Sequence, residues 1–211
     1  MSLAQALSQG LAELDLTLAP AACGKLLDYL GLIEKWNRVY NLTAVREPRQ
    51  MLSHHLFDSL TIVARVSGTS LLDVGSGAGL PGIPVAIALP QLPVTLLESS
   101  HKKAAFLRQA AIELRLDNVN VIGERAESWD TPRRFELVVS RALTDLAGFI
   151  RIAGRFVGRG GSLGAMKGAY PHEELGRLPE GWTVKEVVAL TVPGLRAERH
   201  WVRLEPGRGG H

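Results

Sequence analysis

The sequence predicts an α/β fold: a seven-stranded sheet wound with helices and closed by an antiparallel last strand, behind an N-terminal helical extension. Three observations carry this. From residue 67 onward, short apolar runs alternate with amphipathic helical stretches, the pattern of a parallel sheet with crossover helices. The first run, Leu71-Leu72-Asp73-Val74, leads into glycines at every second position, Gly75, Gly77 and Gly79. The last two runs are joined only by Val192-Pro193-Gly194-Leu195-Arg196, too short for a crossover helix, so they pair antiparallel at the sheet edge.

Taken in chain order, residues 3–18 and 21–40 show apolar residues at helical spacing, including Leu26, Leu27, Leu30 and Ile33 with Trp36 following, and predict two packed helices. Pro20 stands where a first helical turn tolerates proline, and Asn41-Leu42-Thr43 supplies a stop and a loop. A third helix is expected over 47–65, opened by Pro48, with Met51, Leu52, Leu56, Leu60 and Val63 on its buried side. Strands are expected at 70–74, 93–98, 119–123, 136–140, 161–167, 184–191 and 199–204, with helices between the first five. The organisation is then a helical extension over 1–66, an α/β domain over 67–205 and a flexible tail over 206–211.

The chain has 211 residues, 46% of them hydrophobic, enough to bury a substantial core. Cys23 is the single cysteine, which excludes an intramolecular disulfide. No stretch approaches the roughly 18 apolar residues of a membrane span, and the N-terminus lacks the pattern of a secretory signal. A soluble, cytoplasmic protein is expected. The net charge of +3 suits a polyanionic partner without requiring one.

The glycine turn by itself fits a plain strand-to-helix turn as well as a ligand site, so its context assigns the ligand class. Glycines there permit positive backbone angles and the close approach of an adenosyl group. Gly77-Ala78-Gly79-Leu80-Pro81-Gly82 formally satisfies a dinucleotide pattern, but Asp73 and Gly75 come earlier, with the acid at the strand tip. An acid at that place is typical of S-adenosylmethionine sites; it can also cap amides of the turn, and the two roles are compatible. Glu98, followed by Ser99 and Ser100, closes the second strand where a carboxylate can accept both ribose hydroxyls of an adenosine. Past the third strand, Arg125-Ala126-Glu127 lies on the same rim, as a reader of the adenine edge or as a solvated loop.

With Asn41-Leu42-Thr43, His55-Leu56-Phe57-Asp58-Ser59, the turn from Asp73 to Gly82, Ser140-Arg141-Ala142, Lys167-Gly168 and Glu198-Arg199-His200 in this order, the chain resembles the ribosomal RNA small subunit methyltransferase G family, also called glucose-inhibited division protein B. The likeness runs from about Trp36 to Leu204 and leaves the first twenty residues unmatched. It implies a Rossmann-like S-adenosylmethionine-dependent methyltransferase, with S-adenosyl-L-methionine as cofactor, acting on N7 of a guanine in 16S rRNA near the decoding site. By matching motif positions, it implies cofactor contacts at Gly75, Leu80, Glu98, Ser99, Ser100, Ala126, Glu127 and Arg141, with Gly77 in the same turn.

A guanine N7 presents an in-plane lone pair and no proton to remove, so no catalytic residue is assigned. General acid–base help is worth about 10²–10⁴-fold, whereas oriented intramolecular reactions reach effective molarities of about 10⁵–10⁸ M. Ser140-Arg141-Ala142 stands where amino-group methyltransferases resembling this fold often carry Asn or Asp followed by Pro-Pro and an aromatic, which disfavours an exocyclic amine. Cys23 lies in the extension, away from any attack on a pyrimidine. His54 and His55 are read as surface or packing residues, and no metal site is expected.

The partner is then 16S rRNA or the small ribosomal subunit, bound by a monomer. Lys102 and Lys103 open a helix beside the cofactor turn, where cations are unfavourable by about 0.3–1 kcal/mol each, which fits phosphate binding or a solvated helix end. Arg38, Arg46 and Arg49, around the Asn41 loop, are expected to form a second basic face with Lys167, Arg199 and His200 at the cleft rim. Aromatic interleaving is sparse, which favours a single extruded guanine over a long stacked strand. Two alternatives from other classes are a nicotinamide-dependent oxidoreductase and a non-catalytic RNA-binding assembly protein.

Overall fold

The seven apolar runs form one sheet in a computed structural model that describes residues 1–207. Its strands are β1 (Leu71–Val74), β2 (Val94–Leu97), β3 (Val119–Ile122), β4 (Phe135–Arg141), β5 (Val157–Lys167), β6 (Trp182–Ala189) and β7 (His200–Pro206), in the order β3-β2-β1-β4-β5-β7-β6. The first five are mutually parallel, and β7 runs antiparallel to both β5 and β6. The expected hairpin therefore forms, but its last strand lies inside the sheet, between β5 and β6, and β6 takes the edge. Every residue of β1 and β2 is buried, because helices cover both sheet faces.

Beside β1 the chain passes to β2 on one side and to β4 on the other, so the winding direction reverses there. A crevice opens beyond the carboxyl ends of strands at such a point. The glycine turn leaves β1 into it, and Arg141 ends β4 beside it.

The helix α1 (Leu3–Glu13) is opened by a reciprocal cap, Ser2 with Gln5. It stops short of the expected residue 18 because Asp15 takes a left-handed φ of 54°. The long α2 (Pro20–Tyr40) starts on Pro20 and ends where Asn41 turns left-handed, φ 48°. Residues 47–65 do not form the single regular helix expected. They form α3 (Pro48–Met51), a wider π-type turn (Leu52–Phe57), α4 (Asp58–Leu60) and a 3₁₀ turn (Val63–Arg65). The widened turn carries an extra residue, so His55, Leu56, Phe57, Asp58, Ser59 and Leu60 are all buried in succession.

The helices α5 (Gly82–Ala88), α6 (His101–Glu113) and α7 (Leu146–Ala153) follow β1, β2 and β4, and the short α8 (His172–Leu175) follows β5; the helix expected between β3 and β4 does not form, and residues 123–134 pass between those strands as turns and irregular chain. Pro81 precedes α5 rather than entering its first turn. The core has two halves, one per sheet face. Leu72, Val138 and Leu163 pack on one side with Phe149 and Phe156. On the other, Leu71, Leu96 and Trp201 pack with Ile83 and Phe106, and with Leu7, Tyr29, Ile33 and Leu56 of the extension. The extension thus shares a core with the sheet, which lets its side chains reach the crevice. At the far end Pro206 still pairs with Trp182 and the Gly207 amide donates to the Gly181 carbonyl, so order runs past the point where the tail was expected to begin. The rest of that tail, 208–211, lies outside the described residues. No described helix is long and apolar enough to cross a membrane.

Candidate active site

One wall of the crevice is the glycine turn. Gly75, Gly77 and Gly79 take φ of 70°, 59° and 89°, the left-handed region that side chains resist. Three buried side chains fix the turn. Glu98 accepts from the Gly77 amide at 2.8 Å through one oxygen and from the Ser100 amide at 2.7 Å through the other. Asp73 accepts from the Gly82 amide at 3.0 Å. Tyr29, reaching across from α2, donates its hydroxyl to the Ala78 carbonyl.

Burial pushes the Asp73 carboxyl up to about 7, and its second oxygen has no partner. The native pKa lies above the ordinary value of 3.8, so the folded chain holds this proton between about pH 4 and 7. The associated stability is complete below about pH 4 and is lost as pH rises through 7. Asp73→Asn carries no such titration. Its stability relative to the parent chain should therefore rise from pH 5 to pH 8 in paired thermal melts; an equal gap at both pH values would contradict the buried-proton assignment.

The opposite wall comes from the extension and the sheet together. The widened turn aims Asp58 inward, where its carboxylate is 2% exposed and joins two arginines from distant strands. Arg141 Nη1 meets Oδ2 at 2.8 Å and Arg199 Nε meets Oδ1 at 3.0 Å. Arg141 Nη1 also donates to the His54 carbonyl at 2.8 Å. Asn37, near the end of α2, clamps the Thr43 backbone with two bonds of 2.9 Å, accepting its N–H and donating to its C=O. The Thr43 hydroxyl then meets His55 Nε2 at 2.9 Å. Burial pushes the His55 imidazole down to about 4, so this ring is neutral at ordinary pH.

Between the walls lies a cleft of about 530 Å³. Of the residues expected from sequence, it brings together Gly75, Gly77, Leu80, Lys103, Arg141, Lys167 and Arg199. Thr43, Asp58 and Met166 join them. Glu98 stands behind the turn. Ser99 is exposed, and Ser100 caps α6. Ala126 and Glu127 sit in the turn after β3, where the Ala126 carbonyl accepts from Arg155. Lys102 is exposed outside the cleft lining.

The rim cations differ from the free charges expected. Lys167 is paired with Glu174 at 2.8 Å, and Arg199 with Asp58. His200 is buried and its Nδ1 binds the Gly168 carbonyl at 2.8 Å, so it braces the Lys167-Gly168 edge instead of facing phosphate. Lys102 and Lys103 pair with no carboxylate among the described residues.

The family model for rRNA small subunit methyltransferase G matches residues 22–202. The chain belongs to this family. A ribosomal RNA small subunit methyltransferase G from Nitrosospira multiformis is 54% identical over 212 residues, covering 97% of this chain and 98% of the relative. One from Laribacter hongkongensis is 51% identical over 204 residues, covering 97% and 99%. Among solved structures, coclaurine N-methyltransferase bound to N-methylheliamine and SAH matches with a TM-score of 0.57 at 14% identity, over 78% of this chain and 58% of that one. The ribosomal protein L11 methylase from Lactobacillus delbrueckii subsp. bulgaricus matches with a TM-score of 0.55 at 13% identity, over 72% and 77%. At such identities these two establish the fold alone. Membership overturns the nicotinamide alternative and the non-catalytic one.

The methyltransferase G cleft suits S-adenosyl-L-methionine on two observations of its own. A Cβ added at Gly77 would find nothing nearer than the Gly75 carbonyl at 3.8 Å, so the backbone there faces open space that a ligand can enter. Glu98 stands behind that backbone through its bond to the Gly77 amide, and Asp73 holds the Gly82 amide at the far end of the turn, so two buried carboxyl groups back the turn on the side away from the open space. Sequence reasoning assigned no site role to Tyr29, Asn37, Thr43, Asp58 and Met166. Asn37 did leave a signal: it falls at helical spacing on the stripe of Leu26, Leu30 and Ile33, a polar residue on an apolar face.

Proposed function

We propose that this chain transfers a methyl group from S-adenosyl-L-methionine to N7 of a guanine in 16S rRNA near the decoding site. The observation that carries the reading is the pair of unlike walls facing one cleft: open glycine backbone on one side, a guanidinium-rich, cationic wall on the other. The donor, when bound, supplies a methyl on a sulfonium, and in-line attack by the N7 lone pair forms the N–C bond as the S–C bond breaks.

The residues of the chain then have only binding and orientation to perform. Gly75, Gly77, Leu80 and Glu98 would hold the donor, with Ser99, Ser100, Ala126, Glu127 and Arg141 on its rim. Among the described residues at and behind the cleft, Asp58 is taken by two guanidinium groups and His55 Nε2 by Thr43, so neither is arranged as a base. That suits a target without a proton to lose, for which positioning carries the rate. Lys102 and Lys103 are free to meet phosphate, while Lys167 and Arg199 enter RNA contact as members of their ion pairs. On this reading the chain acts as a cytoplasmic monomer and uses no metal.

The test is incubation of hypomethylated small subunits, and separately of 16S rRNA, with methyl-labelled donor, followed by mapping of the labelled base. Label on guanine N7 is expected. Label on a cytosine or on an adenine amino group would overturn the reaction assigned.

A further inference from the structure

Tyr40 is the last residue of α2, and 39% of it stays exposed although its ring is organised from below. Its centroid lies 5.2 Å from that of Trp36, the planes tilted by 31°. Trp36 in turn stands edge-on to Phe106 of α6, at 5.5 Å. This three-ring contact ties the two helices, and each helix continues from it toward the cleft. Tyr40 lies one turn beyond Trp36, immediately before the loop whose Leu42 and Thr43 line the cleft. Lys103 lies one turn before Phe106 and lines the cleft itself. An exposed ring two residues before the cleft-lining Leu42, and a cleft-lining ammonium without a carboxylate partner among the described residues, thus flank one aromatic contact.

An RNA strand delivering a guanine into this cleft must pass its neighbouring nucleotides over the rim. Each presents a flat π-face of about the area of a tyrosine ring and a phosphate within reach of a cation. Base–aromatic stacking is tolerant of sequence because every base has such a face. We propose that Tyr40, seated on Trp36, is the stacking platform for a nucleobase adjacent to the target guanine, with Lys103 taking the phosphate. The proposal rests on the RNA substrate assigned above. The aromatic pattern was invisible in the sequence because Phe106 joins Trp36 and Tyr40 only across two helices.

The experiment compares Tyr40→Phe, Tyr40→Leu and Tyr40→Ala with the parent chain on hypomethylated small subunits, reading KM for the particle, kcat, donor affinity by calorimetry and the melting temperature. The Ala and Leu variants should raise the particle KM by about 5- to 100-fold, while the Phe variant stays near the parent value. Donor affinity should not move in any of them, and the melting temperature should fall by no more than about a few degrees in the Ala and Leu variants, which lose the ring contact with Trp36. A Leu variant equal to the parent would assign the ring to apolar contact with a protein and overturn the proposal. So would an Ala variant whose donor affinity falls as its particle KM rises, since that marks a structural role. Parent turnover on the same particles separates the two readings: its absence sinks the RNA substrate and the platform together, whereas full turnover with an unmoved KM in the Ala variant sinks only the platform.

Discussion

Asp58→Ala should unfold about 2–3 kcal/mol more readily than the parent chain, and its turnover should fall by about 100-fold or more. Removing one partner of a buried ion pair costs about 3–5 kcal/mol because the other charge is left uncompensated. Here the carboxylate is sealed at 2% exposure but each arginine keeps 23%, so water can recover part of the loss and the lower figure applies. The kinetic loss has a separate cause. Without Asp58, Arg141 retains the His54 carbonyl and Arg199 the Glu198 carbonyl, and two like charges share one wall with nothing between them. A displacement of about 1 Å in a positioning group costs about 100-fold when orientation carries the rate. Denaturant melts and single-turnover methylation check the two parts independently. Asp58→Asn, with the same shape and one accepting oxygen, should recover part of the stability. An Ala variant with parent stability and parent turnover would make this carboxylate a spectator.

The reason this residue escaped sequence reasoning is physical. Arg141 and Arg199 lie 83 and 141 residues away along the chain, and no local pattern reports such a pairing. What brings Asp58 inward is the widened turn over Leu52–Phe57, and one extra residue in a turn leaves composition and helical spacing almost unchanged. The strands were legible for the opposite reason. Runs such as Leu71-Leu72-Asp73-Val74 are buried on both faces of a parallel sheet, so burial writes itself into consecutive residues.

Glu98 is an intermediate case. Its place at the end of β2 could be read from the apolar run before it, but its observed partners are the amides of Gly77 and Ser100. Each carboxylate oxygen keeps a second lone pair, so holding the turn and accepting a ribose hydroxyl are compatible. The rim cations were legible as charges but not as pairs. Whether Lys167 is free depends on Glu174, whose position is set by α8 and not by the sequence around the lysine.

Gly77→Val should leave the fold standing and reduce donor binding by about 100-fold or more. At φ 59° a valine costs roughly 1–2 kcal/mol, a fraction of the about 5–15 kcal/mol that holds an ordinary domain together. The added Cβ meets nothing nearer than 3.8 Å, so the free protein accommodates it. Gly77 lines the cleft, so the added side chain takes up volume assigned to the ligand. Gly79→Val is the contrasting case, since a Cβ there would stand 2.7 Å from Ile83 Cδ1 and 2.9 Å from Leu107 Cδ2, inside the core. That variant should lose stability first and binding only as a consequence. Melting temperature and calorimetric titration with S-adenosylhomocysteine distinguish the two, because only the Gly77 variant separates the readouts. If Gly77→Val bound that ligand with the parent affinity, the donor would have to lie away from the Gly77 backbone, and the placement of the cofactor in this cleft would fail.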